Sequence, residues 1–203
     1  MIPYYEDEWT TIYHGDCRKL AMDVSPDFVL TDPPYGINHD PGSAWDRIVG
    51  DDAPFDFSTL PQGVPLITFG ADHYMHQLPE GGGWIVWNKR DRVSRGLPGS
   101  DGELAWTNVT TQVRIFTQVW IPHTLRTEGA YHPTQKPSEL LAVLLDEFAP
   151  IGCTVFDPYM GSGSTLVAAR KTGRKSIGIE IEERYCESAV RRLAQGVLFG
   201  EVS

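Results

Sequence analysis

The segment TDPPYG at residues 31–36 carries the residue types best suited to chemistry, and it directly follows a short apolar run. Its two prolines fix φ and remove two N–H donors, so this backbone offers only carbonyl acceptors. Asp32 adds a carboxylate acceptor and Tyr35 adds an aromatic face. A planar aromatic amine fits such a site, because the Asp32 carboxylate and the Pro33 carbonyl can accept its two N–H groups while its ring stacks on Tyr35.

The chemistry expected of this segment is activation of an aromatic amine. The exocyclic amine of adenine or cytosine is a poor nucleophile because its lone pair is delocalised into the ring. Two acceptors that favour a pyramidal nitrogen counter that delocalisation. The alternative is a proline-rich turn with no chemical role, since short motifs of this kind also arise by chance.

A second segment, VFDPYMGSGST at residues 155–165, predicts a strand that runs into a glycine-rich turn and then a helix. The glycines let a ligand approach the backbone, and the helix start offers free N–H groups, with Ser164 or Thr165 as a cap. No lysine follows the glycines, so a P-loop is excluded. Leu166 stands where the dinucleotide fingerprint requires its third glycine, so that fingerprint is excluded as well.

An acidic residue follows this turn at an informative distance. Glu180 ends the apolar run at residues 176–179 and lies 17 residues past Gly163. At this spacing a carboxylate meets ribose hydroxyls in doubly wound folds. The pattern therefore indicates a cofactor with a ribose but few or no phosphates.

Short strands alternate with helical segments along the chain, which predicts an α/β, doubly wound, Rossmann-like, mostly parallel sheet with helices on both faces. The predicted strands are residues 10–14, 28–31, 64–69, 84–87, 154–156 and 176–179. The predicted helices are residues 18–23, 72–78, 137–149, 164–172 and 182–195. Residues 112–120 are interpreted as one further long strand and as the candidate for an antiparallel one.

Composition restricts the class of protein. The 203 residues fit one domain, and 41% hydrophobic with 22% charged residues excludes collagen, coiled coil and wholesale disorder. No apolar run approaches the ~20 residues of a membrane span, and the start of the chain does not resemble a signal peptide. Three scattered cysteines indicate reduced thiols, so we expect a cytoplasmic protein. The net charge of −10 excludes a protein that coats nucleic acid, so any DNA contact must be local.

Two segments interrupt the alternation of strands and helices. Residues 36–60 have a net charge of −4 with scattered glycine and proline, and are interpreted as a mobile loop. Residues 89–95 (KRDRVSR) have a net charge of +3 and form the clearest basic loop, directly after a predicted strand end. Solvated surface is the alternative for both.

The two chemical motifs, in this order, resemble the amino-group DNA methyltransferases of the permuted β class, which use S-adenosylmethionine. HGDC at residues 14–17 and HPTQKP at residues 132–137 are also typical of that family. The four ordered motifs and Glu180 span residues 14–180, and chance agreement of all four is very improbable. This sequence departs mildly from the family pattern at two positions. The family usually has Phe at the position of Tyr159 and often has Thr at the position of Ser164.

The resemblance implies roles for individual residues. Asp32, Pro33, Pro34 and Tyr35 would hold the flipped base. Asp16 and Cys17 would contact the adenine of the cofactor, Glu180 its ribose, and Lys136 would lie near its carboxylate. Asp32, Phe156, Asp157, Pro158, Gly161, Gly163 and Ser164 would complete the cofactor site.

Structural alternatives exist for several of these residues. Asp16 can cap a helix, Lys136 can form a surface ion pair, and Cys17 can be a packed thiol. His14 and His132 are interpreted as structural, because neither is accompanied by the further His, Cys or carboxylate residues that a metal site needs.

Target recognition is expected to be small in scale, because the methyltransferase core uses most of the chain. A short insert at about residues 89–111 would read double-stranded DNA, and arginine can read guanine edges. The candidate DNA contacts are Lys89, Arg90, Arg92 and Arg95. The resemblance favours adenine N6 as the target, since serine in place of Asp32 is commoner among cytosine-N4 enzymes.

Three other functions remain open alternatives at this point. They are cytosine-N4 methylation, a non-catalytic cofactor- or DNA-binding module, and methylation of RNA or of a protein amide, whose common catalytic string begins with Asn rather than Asp. The resemblance also suggests a homodimer and a place in restriction-modification, and the sequence alone decides neither.

Overall fold

The computed structural model describes residues 2–20, 24–39, 46–90, 100–119 and 135–199. Within them one sheet has nine strands in the order β1-β2-β9-β8-β3-β4-β6-β5-β7. The strands are β1 Tyr5–Glu6, β2 Thr10–His14, β3 Phe28–Thr31, β4 Leu66–Phe69, β5 Gly83–Asn88, β6 Gly102–Thr107, β7 Val113–Thr117, β8 Thr154–Asp157 and β9 Lys175–Glu180. The α-helices are α1 Cys17–Leu20, α2 Ser138–Phe148, α3 Ser164–Lys171 and α4 Glu183–Phe199.

The central strands are buried on both faces, which explains their continuous apolar sequence. Phe28 and Leu30 pack with Leu140 and Leu144 of α2 on one face of the sheet. Val29 points to the opposite face and belongs to a second apolar cluster there. The doubly wound, mostly parallel α/β architecture predicted from the sequence is therefore confirmed.

The directions of three strands differ from the prediction. β7, from the segment expected to be antiparallel, pairs parallel with β5. β6 is antiparallel to both β4 and β5, and the short β1 is antiparallel to β2. β6 lies inside the insert predicted at residues 89–111, so that part of the chain belongs to the sheet.

The helix predicted at residues 72–78 is also wrong. The chain forms only a short 3-10 turn at Met75–Gln77. The Tyr74 hydroxyl donates to the carbonyl of Phe69 at 2.8 Å, which draws the chain back over the end of β4. Pro79 follows Leu78 and disfavours helical geometry there, so the turn does not extend.

Across the described ranges, no helix combines the length and the apolar character that crossing a membrane requires.

Candidate active site

The strand order opens a crevice between the carboxyl ends of β3 and β8. From β3 the chain continues to β4 on one side, and from β8 it continues to β9 on the other. Ligands bind at such a reversal in open α/β sheets. Val29 pairs with Phe156, so the two chemical motifs leave the sheet side by side. Thr31 Oγ1 donates to Asp157 Oδ1 at 2.7 Å and ties them together.

A cleft of about 1080 Å³ at this edge is lined by residues of all four motifs and by Glu180. The predicted site residues that line it are Asp16, Cys17, Asp32, Pro33, Pro34, Tyr35, Lys89, Lys136, Asp157, Pro158, Gly161, Ser164 and Glu180. Ligand pockets are commonly about 300–1,000 Å³, so the cleft has room for a nucleoside-sized cofactor beside a base. The segment TDPPYG and the glycine turn therefore share one cleft.

Both oxygens of the Asp32 carboxylate are held by neighbouring side chains. The Tyr35 hydroxyl donates to Oδ1, and Lys136 Nζ donates to Oδ2 at 2.5 Å. Burial raises the pKa of Asp32, and the Lys136 ammonium opposes this rise. Each oxygen keeps a second lone pair, so Asp32 is oriented and can still accept a hydrogen bond from a ligand amine.

Lys136 links Asp32 to a second buried carboxylate. Its Nζ lies 3.2 Å from Glu103 Oε2, and Glu103 also forms an ion pair with Lys89. Burial alone would lower the pKa of Lys136, but the charges of Asp32 and Glu103 outweigh it and raise that pKa. The Lys136 side chain is only 7% exposed, so the alternative of a surface ion pair is wrong.

The Tyr35 ring is placed by the turn that follows β4. Gly70 has φ +64, and a Cβ atom there would lie 2.0 Å from Tyr35 Cε1. The ring of His73 stacks on Tyr35 with a centroid distance of 5.1 Å and an interplanar angle of 15°. Gly70 and His73 thus fix the position of the tyrosine.

The turn after β8 is anchored by Asp157, which is buried. Its Oδ1 accepts the backbone N–H of Tyr159 at 3.1 Å as well as the Thr31 hydroxyl. Burial raises the pKa of Asp157 to about 6, while hydrogen bonds from Thr165 and Thr31 limit the rise. Asp157 therefore holds the turn in shape where the turn borders the cleft.

Glu180 closes the other side of the turn at the end of β9. Its Oε2 accepts the Gly161 N–H at 3.0 Å, and its Oε1 accepts the Glu182 N–H at 2.7 Å. Burial raises the pKa of Glu180 to about 7, although these two backbone N–H groups oppose the rise. The carboxylate has free lone pairs for hydroxyl donors. A fixed acceptor pair in a cleft of this size fits the ribose of a nucleoside cofactor.

Comparison with known families decides the identity of this site. The sequence model of the N6_N4_Mtase family, described as DNA methylase, matches residues 86–191, about half of the chain. The chain belongs to this family of DNA methylases. Membership confirms the predicted class, a DNA methyltransferase that depends on S-adenosylmethionine.

Individual relatives agree with this methylase assignment. The chain is 25% identical to the type II methyltransferase M2.LlaDCHI of Lactococcus lactis subsp. cremoris, over 98% of this chain and 94% of that protein. The crystal structure of the M1.HpyAVI-SAM complex has a TM-score of 0.57 at 20% identity, covering 91% of this chain and 98% of that one. The cytosine-N4-specific PvuII DNA methyltransferase has a TM-score of 0.65 at 15% identity, covering 94% and 88%. At identities of 20% and 15%, these two likenesses show that the chain shares the fold of the two structures.

Three predicted cofactor residues of the methylase have packing or hydrogen-bonding roles next to the turn. Phe156 is fully buried in the apolar core. Gly163 has φ +80, and a Cβ atom there would lie 2.7 Å from that of Ala189. Ser164 Oγ lies 3.1 Å from the Arg192 guanidinium. Gly163 is the residue before α3 and no side chain caps that helix, so capping by Ser164 or Thr165 is wrong.

The predicted adenine-binding residues also organise local structure. The Asp16 carboxylate accepts the Arg18 N–H at 3.0 Å where α1 begins, as the capping alternative expects. The Arg18 guanidinium lowers the pKa of Asp16. Cys17 is buried, and burial raises the pKa of its thiol. Both residues line the cleft, so their structural role leaves a contact with adenine open.

The basic loop is partly within the described residues. Lys89 pairs with Glu103, and Arg90 Nε donates to Asp101 at 3.2 Å with a side chain only 7% exposed. These two cations are therefore engaged within the sheet edge. Arg92 and Arg95 lie outside the described residues, as does His132 with the first half of its motif.

The loop predicted to be mobile has one firm anchor. The Asp51 carboxylate is buried and accepts the backbone N–H groups of Gly36, Ile37 and His39, at 2.9, 3.3 and 2.6 Å. These contacts fix the backbone directly after Tyr35 and form one lip of the cleft. Residues 40–45 of the same loop lie outside the described residues.

Several residues that line or shape the cleft were not predicted from the sequence. Gly70 had a usable signal, since it directly follows the apolar run of β4 at the same edge as Asp32. His73 and Asp51 had only their polarity. Glu103 had no local signal, because the pairing of β6 with β5 brings Lys89 to it, and Lys136 comes from the distant segment before α2.

Proposed function

We propose that this methylase transfers a methyl group to the N6 amine of adenine in double-stranded DNA after the base has flipped into the cleft. The observation that carries the proposal is the placement of Asp32, oriented by Tyr35 and Lys136, in the same cleft as the turn at Gly161 and Glu180. Adenine is favoured over cytosine because position 32 is aspartate. The contact of the segment from Lys89 to Arg95 with DNA is part of this proposal.

The residues of the cleft would act directly on the base. Asp32 and the Pro33 carbonyl accept the two N–H groups of the amine, and the flipped base stacks on Tyr35. S-adenosylmethionine supplies the methyl group from its sulfonium. The nitrogen would bond to that methyl carbon, the sulfur would keep the electron pair of the broken C–S bond as a neutral thioether, and the amine would release one proton. Asp32 is the acceptor already hydrogen-bonded to that nitrogen.

The product of the reaction tests the proposal. Mixed-sequence duplex DNA is incubated with the purified chain and a labelled methyl donor, digested to nucleosides and analysed by mass. We expect N6-methyladenine, and an Asp32→Ala preparation controls for contaminating host enzymes. N4-methylcytosine would reverse the choice of base. No incorporation across many substrates would instead favour a non-catalytic binding module.

The affinity for the cofactor is expected to depend on pH through Glu180. Ionised Glu180 accepts hydrogen bonds from two ribose hydroxyls, whereas the protonated carboxyl loses part of this capacity. Because burial raises the pKa of Glu180 to about 7, affinity should be full above pH 7 and should weaken as the pH falls below it, by at most about tenfold per pH unit. Calorimetric titration with the cofactor between pH 5.5 and 8.5 measures this.

A matched variant separates this effect from other titrations in the cleft. Glu180→Gln should bind the cofactor more weakly at pH 8 and should lose the pH dependence below 7. Glu182→Gln removes a neighbouring charge that helps to raise the pKa of Glu180, so it should keep the pH dependence and move it to lower pH. If the pH dependence survives in Glu180→Gln, it arises from the titration of another group, and Asp157 is the first candidate.

A further inference from the structure

The candidate for a further role is Glu103, which lies near the start of β6. Because β6 runs antiparallel to β4 and β5, its first residues lie at the edge where the neighbouring parallel strands end. That edge carries the active site. Glu103 pairs with Trp87 in the sheet, and its carboxylate lies in the cleft.

The carboxylate of Glu103 completes a row of four alternating charges. Lys89 pairs with Glu103, Glu103 with Lys136 at 3.2 Å, and Lys136 with Asp32 at 2.5 Å. Burial favours the neutral form of Glu103, but the charges of Lys136 and Lys89 outweigh it and lower its pKa. The formal charges of the four groups sum to zero.

We infer that Glu103 is a positioning residue for methyl transfer, which holds the Lys136 ammonium at a fixed place between two carboxylates and so leaves Asp32 available to the target amine. This inference rests on the proposed function. A lysine ammonium has three rotatable donors and a flexible stem, so a single carboxylate does not fix it. With Glu103 as the second anchor, Lys136 orients Asp32 without engaging both of its oxygens. Without that anchor, the ammonium would keep the neutral Tyr35 hydroxyl at 3.4 Å as a partner, would be drawn towards Asp32 and would compete with the base.

This arrangement predicts opposite effects of one substitution in two backgrounds. In the otherwise unchanged chain, Glu103→Gln frees Lys136 to compete at Asp32, and we expect the single-turnover rate constant of methyl transfer to fall about tenfold. In Lys136→Met, Asp32 and Glu103 face each other with no ammonium between them, and we expect a loss of about 100-fold. Adding Glu103→Gln to Lys136→Met removes the repulsion and should restore activity several-fold.

The experiment measures single-turnover methylation at saturating cofactor for the unchanged chain, the two single variants and the double variant. Lys136→Gln runs in parallel as a smaller, uncharged replacement, in case Lys136→Met does not fold. Glu147→Gln, which removes an exposed ion pair with Arg114, is the matched control and should leave turnover unchanged. A Glu103→Gln change that lowers turnover in both backgrounds, or in neither, would overturn the inference.

A second measurement does not depend on catalysis. The pKa of Asp32 is followed by carbon-13 NMR of its carboxyl group, assigned with Asp32→Asn. The ionisable groups that act on Asp32 are Lys136 and Glu103, the hydroxyls of Tyr35 and Tyr74, and the carboxyl of Asp157. We expect this pKa to rise in Lys136→Met and to fall back when Glu103→Gln is added. If this pattern holds while the unchanged chain methylates no DNA, the proposed function fails and the positioning of Asp32 stands. If the pattern is absent while methylation is normal, only the inference fails.

Discussion

Asp32→Ala is expected to lower the single-turnover rate constant of methyl transfer by about 10²–10³-fold or more, which is the scale seen when one preorganised polar group is removed from an active site. The amine would lose its charged acceptor, and Tyr35 and Lys136 would lose the oxygens that hold them in place. The dissociation constant of the cofactor should change little, because Asp157 and Glu180 keep their own hydrogen bonds. Single-turnover kinetics and calorimetry measure the two quantities.

The fold is expected to survive this substitution. The Asp32 side chain is 21% exposed at the wall of the cleft, so its removal opens no cavity in the core. Lys136 keeps Glu103 as a partner and is not left buried without an anion. Asp52→Ala is the matched control, since Asp52 is an exposed aspartate that lines the same cleft. If Asp32→Ala turned over at a rate close to that of Asp52→Ala, the mechanism would be wrong.

Much of the cleft was predictable because its parts are local in sequence. TDPPYG and the glycine turn each follow a buried strand, and parallel strands bring their carboxyl ends to one edge of the sheet. Glu180 ends the next strand in the same way. The confirmed class and fold depend on these three segments.

The features of the fold and of the site that were not predicted depend on pairing between distant segments. The direction of β7 is set by its partner β5, and a single strand sequence carries no information on direction. β6 begins with Gly102 and Glu103 and shows no clear alternation, since it is inserted between β4 and β5. The motif alone predicted that Lys136 lies near the cofactor. Its ion pairs with Asp32 and Glu103 could be identified only from the arrangement of the strands in the sheet. Such charge networks form between residues that only the tertiary structure brings together.

Gly70→Ala is expected to have the second large effect, through the position of Tyr35. The added Cβ would lie 2.0 Å from Cε1 of the tyrosine, so the ring must move by more than 1 Å to reach an ordinary contact. A displacement of about 1 Å at an active site can cost about 100-fold in rate. Tyr35 would lose its stacking on His73 and its hydrogen bond to Asp32. We expect at least this loss in single-turnover methylation, with cofactor affinity unchanged.

The backbone conformation of Gly70 must be separated from the contact with Tyr35. Its φ of +64 strains any residue with a Cβ atom, at a cost of about 1–2 kcal/mol. Gly63 provides the control, because it has φ +74 and a Cβ atom there would meet nothing within 4 Å. Gly63→Ala should therefore lose a similar free energy of unfolding in urea while keeping its methylation rate. Equal rates for the two variants would show that Gly70 does not position Tyr35, whereas a rate lost only in Gly70→Ala would assign the placement of the stacking ring to this glycine.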